Sequence, residues 1–272
     1  MNISAAVSSL RGSSAVVFIF GLLVGSFLNV VIWRLTAEEQ IIRGRSHCRS
    51  CGKMIAWYDN VPLVSFLMLM GRCRHCRAKI SWLYPVIELA TGLLFVAVFR
   101  RFGLTAEGVV YGALVGALIA LTAIDAREMI LPDEITLPGA VLGLAVSFLV
   151  PTLHGTTGRF DGLFLGFLGA LAGGGLLWLI GLIGSWIFKK EAMGGGDVKM
   201  MAMVGAVIGW QKVLLVNLIL APLIGSAVGL VLKYRFGKEL IPFGPFLSAG
   251  TIAAIFYGDA MVYRYFSLIG FR

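Results

Sequence analysis

Asp125 and Asp197 each stand where an apolar stretch gives way to a polar turn. Carboxylates at membrane boundaries are costly and mark function there, and this chain has only 14 acids among 272 residues. Two aspartates so placed predict an acid/base pair, since neighbouring carboxyls that share one proton activate water for attack on a carbonyl. Asp197 follows Gly194, Gly195 and Gly196 and precedes Val198 and Lys199. Backbone without side chains lets an extended peptide come close; the competing reading of Asp197 is a helix N-cap. From the helix ends alone, Asp197 is favoured as the ionised partner and Asp125, opposed by its own helix dipole, as the one keeping a proton. Asp133 and Glu134, after Pro132, read as a cap and a first-turn acid. Lys199 either orients a carboxylate or substrate or snorkels to the interface. Glu88, a few residues into an apolar stretch, is either functional or a buried acid paired with a basic loop residue.

Four cysteines supply a second chemistry. Cys48 and Cys51 form one CxxC pair, Cys73 and Cys76 another, and no other cysteine exists in the chain. A two-residue spacer lets a tight turn aim both sulfurs at one ion, so the pattern predicts a closed four-thiolate zinc site that is structural, with no position left for substrate. Such a site folds a loop too small for its own core. Disulfides or a redox CxxC are the alternatives, and a reducing compartment disfavours the disulfides. His47 and His75 adjoin the cysteines and read as bystanders.

The elements that must position these groups are membrane helices. Composition is 58% hydrophobic and 14% charged with mean hydropathy +0.90, against about 25% charged for a soluble domain. Apolar stretches of about 17 to 25 residues fall near 15–33, 82–99, 108–124, 135–151, 162–188, 213–232 and 241–258, with a shorter one at 200–210. This predicts an all-α polytopic membrane protein of about eight transmembrane helices carrying a small zinc-binding loop domain. The expected division is 1–33 as the first transmembrane helix, 34–81 as the cysteine loop and 82–272 as the helical domain holding both aspartates. No basic n-region precedes Arg11, so the first stretch reads as a retained anchor.

If 34–81 is cytoplasmic, alternation places 125–134, 189–199 and 233–240 on the same side, and these four segments hold 16 of the 23 Lys and Arg residues. The positive-inside rule therefore puts the aspartates and the zinc loop in the cytoplasm and both termini in the periplasm. The net charge of +9 is a topology signal and favours weak contact with anionic lipid head groups. No basic groove interleaved with aromatics argues for nucleic acid. H-E-x-x-H, G-x-S-x-G and Walker motifs are absent, and His154 falls in an external loop, which disfavours metal-dependent or serine hydrolysis. A membrane transporter whose boundary acids bind ions, with a regulatory zinc loop, is the rival function; the acids lie at one membrane face without a midplane pair in matching repeats. A scaffold that docks partners through the zinc loop is a third.

Taken in order, the residues resemble the bacterial type IV prepilin leader peptidase family, bifunctional peptidase/N-methyltransferases of pilus and type II secretion systems. The resemblance runs through Gly25–Ile32, the two CxxC pairs with Gly71 and Arg72, Tyr84-Pro85 with Glu88, Asp125 with Leu131-Pro132-Asp133, Gly194–Lys199, and Pro242–Phe246. It implies a membrane-embedded GxGD aspartic endopeptidase of the inner membrane with Asp125 and Asp197 as catalytic pair. Gly194, Gly195, Gly196, Lys199, Glu88 and Asp133 shape the site. The implied substrates are type IV prepilins or pseudopilins, cut after the glycine of a short basic leader. The new N-terminal residue is then methylated from S-adenosylmethionine, although no Rossmann-type glycine fingerprint is present. Two positions depart from the family pattern: Arg49-Ser50 stands within the first CxxC where proline is frequent, and Trp33 where tyrosine is usual.

Overall fold

The structure is a computed structural model that describes residues 3–37, 39–40, 46–190, 193–237 and 241–268. The chain termini and, within the basic loops, 41–45 and 238–240 lie outside the described residues, and with them part of the charge asymmetry used for orientation. Among the described residues the fold is all-α: α1 (Ile3–Thr36), α2 (Val64–Met68), α3 (Leu83–Phe102), α4 (Ala106–Glu128), α5 (Asp133–Leu149), α6 (Arg159–Ala170), α7 (Leu176–Phe188), α8 (Gly195–Ile208), α9 (Trp210–Leu215), α10 (Ala221–Phe236) and α11 (Gly244–Leu268). Two wider π-helical turns, Leu171–Gly175 and Val216–Leu220, join α6 to α7 and α9 to α10 into continuous stretches. Asn217 Nδ2 in the second donates to the Gly173 carbonyl in the first at 3.0 Å.

Among the described residues, six stretches are long and apolar enough to cross a membrane: Ser13–Thr36, Leu83–Phe102, Ala106–Glu128, Arg159–Phe188, Trp210–Arg235 and Gly244–Tyr265. The other two expected spans are shorter helices. At 17 residues α5 rises about 25 Å, and at 14 residues α8 about 21 Å, against a hydrocarbon core of about 30 Å. Helix α8 is a core element of its unit. Met200, Met201 and all residues from Met203 to Ile208 are buried, as expected of a helix apolar all round.

The residues group into two compact units, Met1–Ala120 and Leu121–Arg272, with the boundary inside α4. In the first, α1 packs along α3, with Gly25 so close that a Cβ there would lie 2.7 Å from the Glu88 Cα. Small residues permit such approach in membranes, where packing rather than hydrophobicity drives helix association. In the second unit α8 lies among α5, α6 and the π-turn at 171–175. At the end of this unit away from the aspartates, Ser147 Oγ donates to the Ala206 carbonyl at 2.8 Å and lies 2.9 Å from His154 Nε2. His154 is thus a structural clamp of the α5 end, its pKa lowered by burial and then by Lys212.

Candidate active site

Four segment ends converge in the second unit. Helix α4 closes on Met129, whose left-handed backbone (φ 55°) returns its N–H to the Asp125 carbonyl at 3.0 Å. Leu131-Pro132 then leads into α5, for which Pro132 is the N-cap and no side chain caps. Asp133 is therefore not the cap expected from sequence. Its carboxylate takes two hydrogen bonds from Lys199 Nζ, at 2.7 and 2.8 Å, across 66 positions of chain. Lys199 accordingly ties α8 to the α4–α5 turn rather than snorkelling. An ion pair this exposed stabilises by no more than about 1 kcal/mol, so its effect is to fix register more than to hold the fold.

The three glycines before Asp197 separate into three roles. A Cβ on Gly196 would lie 2.8 Å from Leu131 Cβ, so this position lets the α4–α5 turn sit against α8. A Cβ on Gly194 would come 3.3 Å from Asp197 Oδ2. Gly195 meets nothing within 4 Å, which leaves open space beside Asp197 of the kind an extended peptide needs. Gly194 is the N-cap of α8, and Asp197 sits in the first turn, its N–H bonded to the Gly194 carbonyl at 3.1 Å. Asp197 is a first-turn acid and not the cap itself.

Asp125 is 6% exposed. Its Oδ2 accepts the N–H of Gly244 at 2.9 Å, across 119 positions. Gly244 opens α11, and a Cβ there would lie 2.6 Å from the same oxygen. The carboxylate opposed by the dipole of its own helix thus meets the positive end of another. The Asp197 carboxyl is pushed up to about 6, first by burial and then by the charge of Asp125. Burial and the charge of Asp125 thus act on the Asp197 carboxyl against the favourable end of α8, and two carboxyls coupled in this way titrate as a pair. Leu131 and Gly244 lie in stretches that carry the family resemblance, but nothing local in the sequence places them beside the aspartates. The Gly-Pro at 244–245 signals the start of α11 only.

The first unit carries the other predicted residues. The sulfurs of Cys48, Cys51, Cys73 and Cys76 lie within 4.8 Å of one another, and Cys48 Sγ is 3.7 Å from Cys76 Sγ. A tetrahedral ion with bonds of about 2.3 Å places its sulfurs about 3.8 Å apart, so the donor set fits a closed thiolate site for a metal ion. His47 and His75 stand outside the cluster. Each pair sits on its own knuckle: Cys48 N–H bonds the Lys53 carbonyl and Gly52 N–H returns to Cys48, while Cys73 bonds Ala78 and Arg77 returns to Cys73. The residue after each second cysteine is left-handed, Gly52 at φ 68° and Arg77 at φ 59°. The two departures from the family pattern meet here, with the Arg49 guanidinium over the Trp33 ring.

Glu88, 8% exposed, pairs with no basic side chain among the described residues. Its Oε2 accepts the Leu63 N–H at 2.8 Å, with the Ser26 hydroxyl also bonded to the carboxyl. Leu63 has φ 59° and ψ −47°, and Val64 N–H bonds the Pro62 carbonyl at 2.6 Å. That is a positive-φ γ-turn, rare and strained, and strain of this kind gathers at ligand sites. The turn and Glu88 border a cavity of about 600 Å³ that Asn29, Trp33 and Tyr84 also line. Asn29 Nδ2 is anchored on the Tyr84 carbonyl at 3.1 Å.

Comparison with known proteins gives two domain matches, the bacterial peptidase A24 N-terminal domain over residues 19–102 and the type IV leader peptidase family over 112–231. A prepilin leader peptidase/N-methyltransferase of Myxococcus xanthus is 42% identical over 221 residues, covering 81% of this chain and 63% of that protein. Proteins of the same name from Burkholderia pseudomallei and Pseudomonas aeruginosa are 38% and 35% identical, covering 90% and 93% of this chain and 85% and 93% of their own lengths. No solved structure matches.

Proposed function

The chain belongs to the type IV leader peptidase family, and from that premise we propose that Asp125 and Asp197 are the catalytic pair of a membrane endopeptidase. It cleaves type IV prepilins or pseudopilins after the glycine of a basic leader and N-methylates the new terminus. The observation that supports the pair is that the turns carrying the two aspartates meet, with Lys199 gripping Asp133 and Gly196 lying against Leu131, close enough for the charge of Asp125 to raise the Asp197 carboxyl. The rival transporter reading is not supported: the relatives named above all carry the peptidase/methyltransferase name.

Asp125, ionised and held by the Gly244 N–H, accepts a proton from a water lying between the carboxyls. The water oxygen attacks the scissile carbonyl carbon, and the proton on Asp197 supports the developing oxyanion. Collapse of the tetrahedral centre breaks the C–N bond as a carboxyl proton passes to the leaving amine. The open backbone at Gly195 receives the extended leader beside Asp197. Because leader and enzyme obey the same charge rule, the cut takes place at the cytoplasmic face of the inner membrane.

Methyl transfer belongs to the cysteine loop, residues 34–81, with Glu88 and adjacent basic residues. Zinc in the four-thiolate site shapes that loop and takes no part in chemistry. S-adenosylmethionine supplies an electrophilic methyl on a sulfonium; the cavity beside Glu88 offers a buried carboxylate suited to such a cation or to the substrate amine. Glu88 would take the proton that the α-ammonium must lose before attack.

The test is digestion of a purified prepilin by detergent-solubilised wild type and Asp197→Asn, with mass spectrometry of the mature N-terminus. Cleavage should fall by about 100-fold or more in the variant. Glu88→Gln should cut normally yet omit the methyl increment. Undiminished cleavage by Asp197→Asn removes the pair from the mechanism.

A further inference from the structure

Helix α2 turns its apolar face outward. Val64, Leu67 and Met68 recur at the spacing of one helical face, yet Leu67 is 70% and Met68 76% exposed, while Ser65 is buried. Ser65 Oγ is consumed locally, donating to the Tyr58 carbonyl and accepting the Val61 N–H. Beyond the helix, Met70 adopts φ 49°, a left-handed backbone unusual for a residue with a side chain, and is 86% exposed. A soluble loop has no physical reason to hold three large apolar side chains in this way.

Two further observations say what covers them. Phe66 packs its ring on that of Trp82, centroids 4.9 Å apart. Trp82 immediately precedes the span Leu83–Phe102 and so marks the membrane boundary, where tryptophan concentrates. The outward face of α2 is thereby tied to the level at which acyl chains begin. Beside it lies a recess of about 410 Å³ lined by Met68, Leu69, Met70, Arg72, Arg74 and Arg77. Arg74 is committed to Asp59, which it grips through Nε and Nη2 at 2.8 and 2.6 Å. Arg72 and Arg77 have no carboxylate partner among the described residues.

We propose that α2 and the turn after it form a binding site for an anionic phospholipid, with Leu67, Met68 and Met70 against the acyl chains and Arg72 and Arg77 on the headgroup phosphate. Guanidinium forks match phosphate oxygens in pairs, and methionine adapts to disordered apolar chains. An acidic peptide would satisfy the arginines but leave the apolar face unexplained. The site holds the cysteine loop down on the leaflet and does not depend on the assignment of the aspartates.

To test this, the full chain with p-benzoylphenylalanine in place of Met68 is irradiated in nanodiscs of phosphatidylcholine with or without phosphatidylglycerol, and adducts are identified by mass spectrometry. Lipid adducts should form, with several-fold enrichment of phosphatidylglycerol over its share of the bilayer. Adding Arg72→Gln and Arg77→Gln should abolish that enrichment and leave the total lipid yield intact. Native mass spectrometry of the otherwise unaltered protein reads the same site without the probe: the double arginine variant should retain fewer phosphatidylglycerol molecules than wild type at equal metal content. Adducts to protein instead of lipid, or lipid adducts without headgroup preference, overturn the proposal.

Discussion

The cysteine loop and the aspartate turns reach precise geometry by opposite routes. In the loop, the Gly52 and Arg77 N–H groups return to Cys48 and Cys73 within each knuckle, so every sulfur is aimed by its own turn. Only the meeting of the two knuckles is non-local, and a metal ion held by the four thiolates would supply the force for it. The aspartates have no such local device. Asp125 is held by Gly244 across 119 positions, and the turns that carry the pair are registered by Lys199 and Asp133 across 66. One site is therefore suited to assembly by a ligand, and the other is assembled by packing. They should fail under different insults.

The sharpest way to break the comparison is to remove the metal. Cys73→Ser, or exhaustive chelation, should abolish methylation because apo thiolate sites of this size do not hold their fold, while prepilin cleavage stays near wild type; a matched loss of both activities, read by mass spectrometry of one digest, would merge the two regions into one device. Packing is the converse insult. Gly196→Val forces a side chain against Leu131, which costs about 1–3 kcal/mol. A displacement of about 1 Å at the carboxyls should lower kcat for cleavage about 100-fold without changing metal content.

A smaller effect sharpens the electrostatic side. The Asp197 carboxyl titrates at about 6 where the ordinary value is 3.8, so the folded state holds this proton more tightly than the unfolded chain. That stabilisation is complete below the unfolded value and is lost as pH rises through 6. Asp197→Asn should therefore stabilise the protein in detergent at pH 8, by at most about 3 kcal/mol, read as a rise in Tm, and give no gain at low pH. A variant that is inactive yet destabilised at pH 8 would contradict the buried-charge account. Smallest of all, Arg77 occupies the left-handed knuckle position that glycine fills at Gly52. Arg77→Gly should stabilise the metal-loaded loop by about 0.5–1 kcal/mol, measured as a rise in chelator concentration needed to release the ion.

Legibility in the sequence followed the same divide. The spacing of Cys48, Cys51, Cys73 and Cys76 announced a metal-binding cluster because two-residue spacers act within one turn, and the structure brings the four sulfurs together. Apolar run lengths found the six long spans for the same reason, and left α5 and α8 open: composition reports that a helix touches apolar surroundings, not whether these are lipid or protein. Asp133 looked like a cap, since a cap is the local use of an acid after proline, whereas its partner lies 66 positions away. Glu88 was recognised as out of place, but its acceptor role for the Leu63 N–H depends on a strained turn that no propensity predicts.

By itself, then, the sequence determined everything governed by short separations: a helical membrane protein, two cysteine knuckles, and two aspartates at costly positions. The tertiary structure alone decided which helix end faces which carboxylate. Asp125 sits at the unfavourable end of α4, and only the arrival of α11 presents it with the Gly244 N–H; Asp197 sits at the favourable end of α8, and only burial and the charge of Asp125 push its carboxyl up. Fields and desolvation act through space, and a linear chain does not encode distance between residues far apart until the packing of its helices has fixed it.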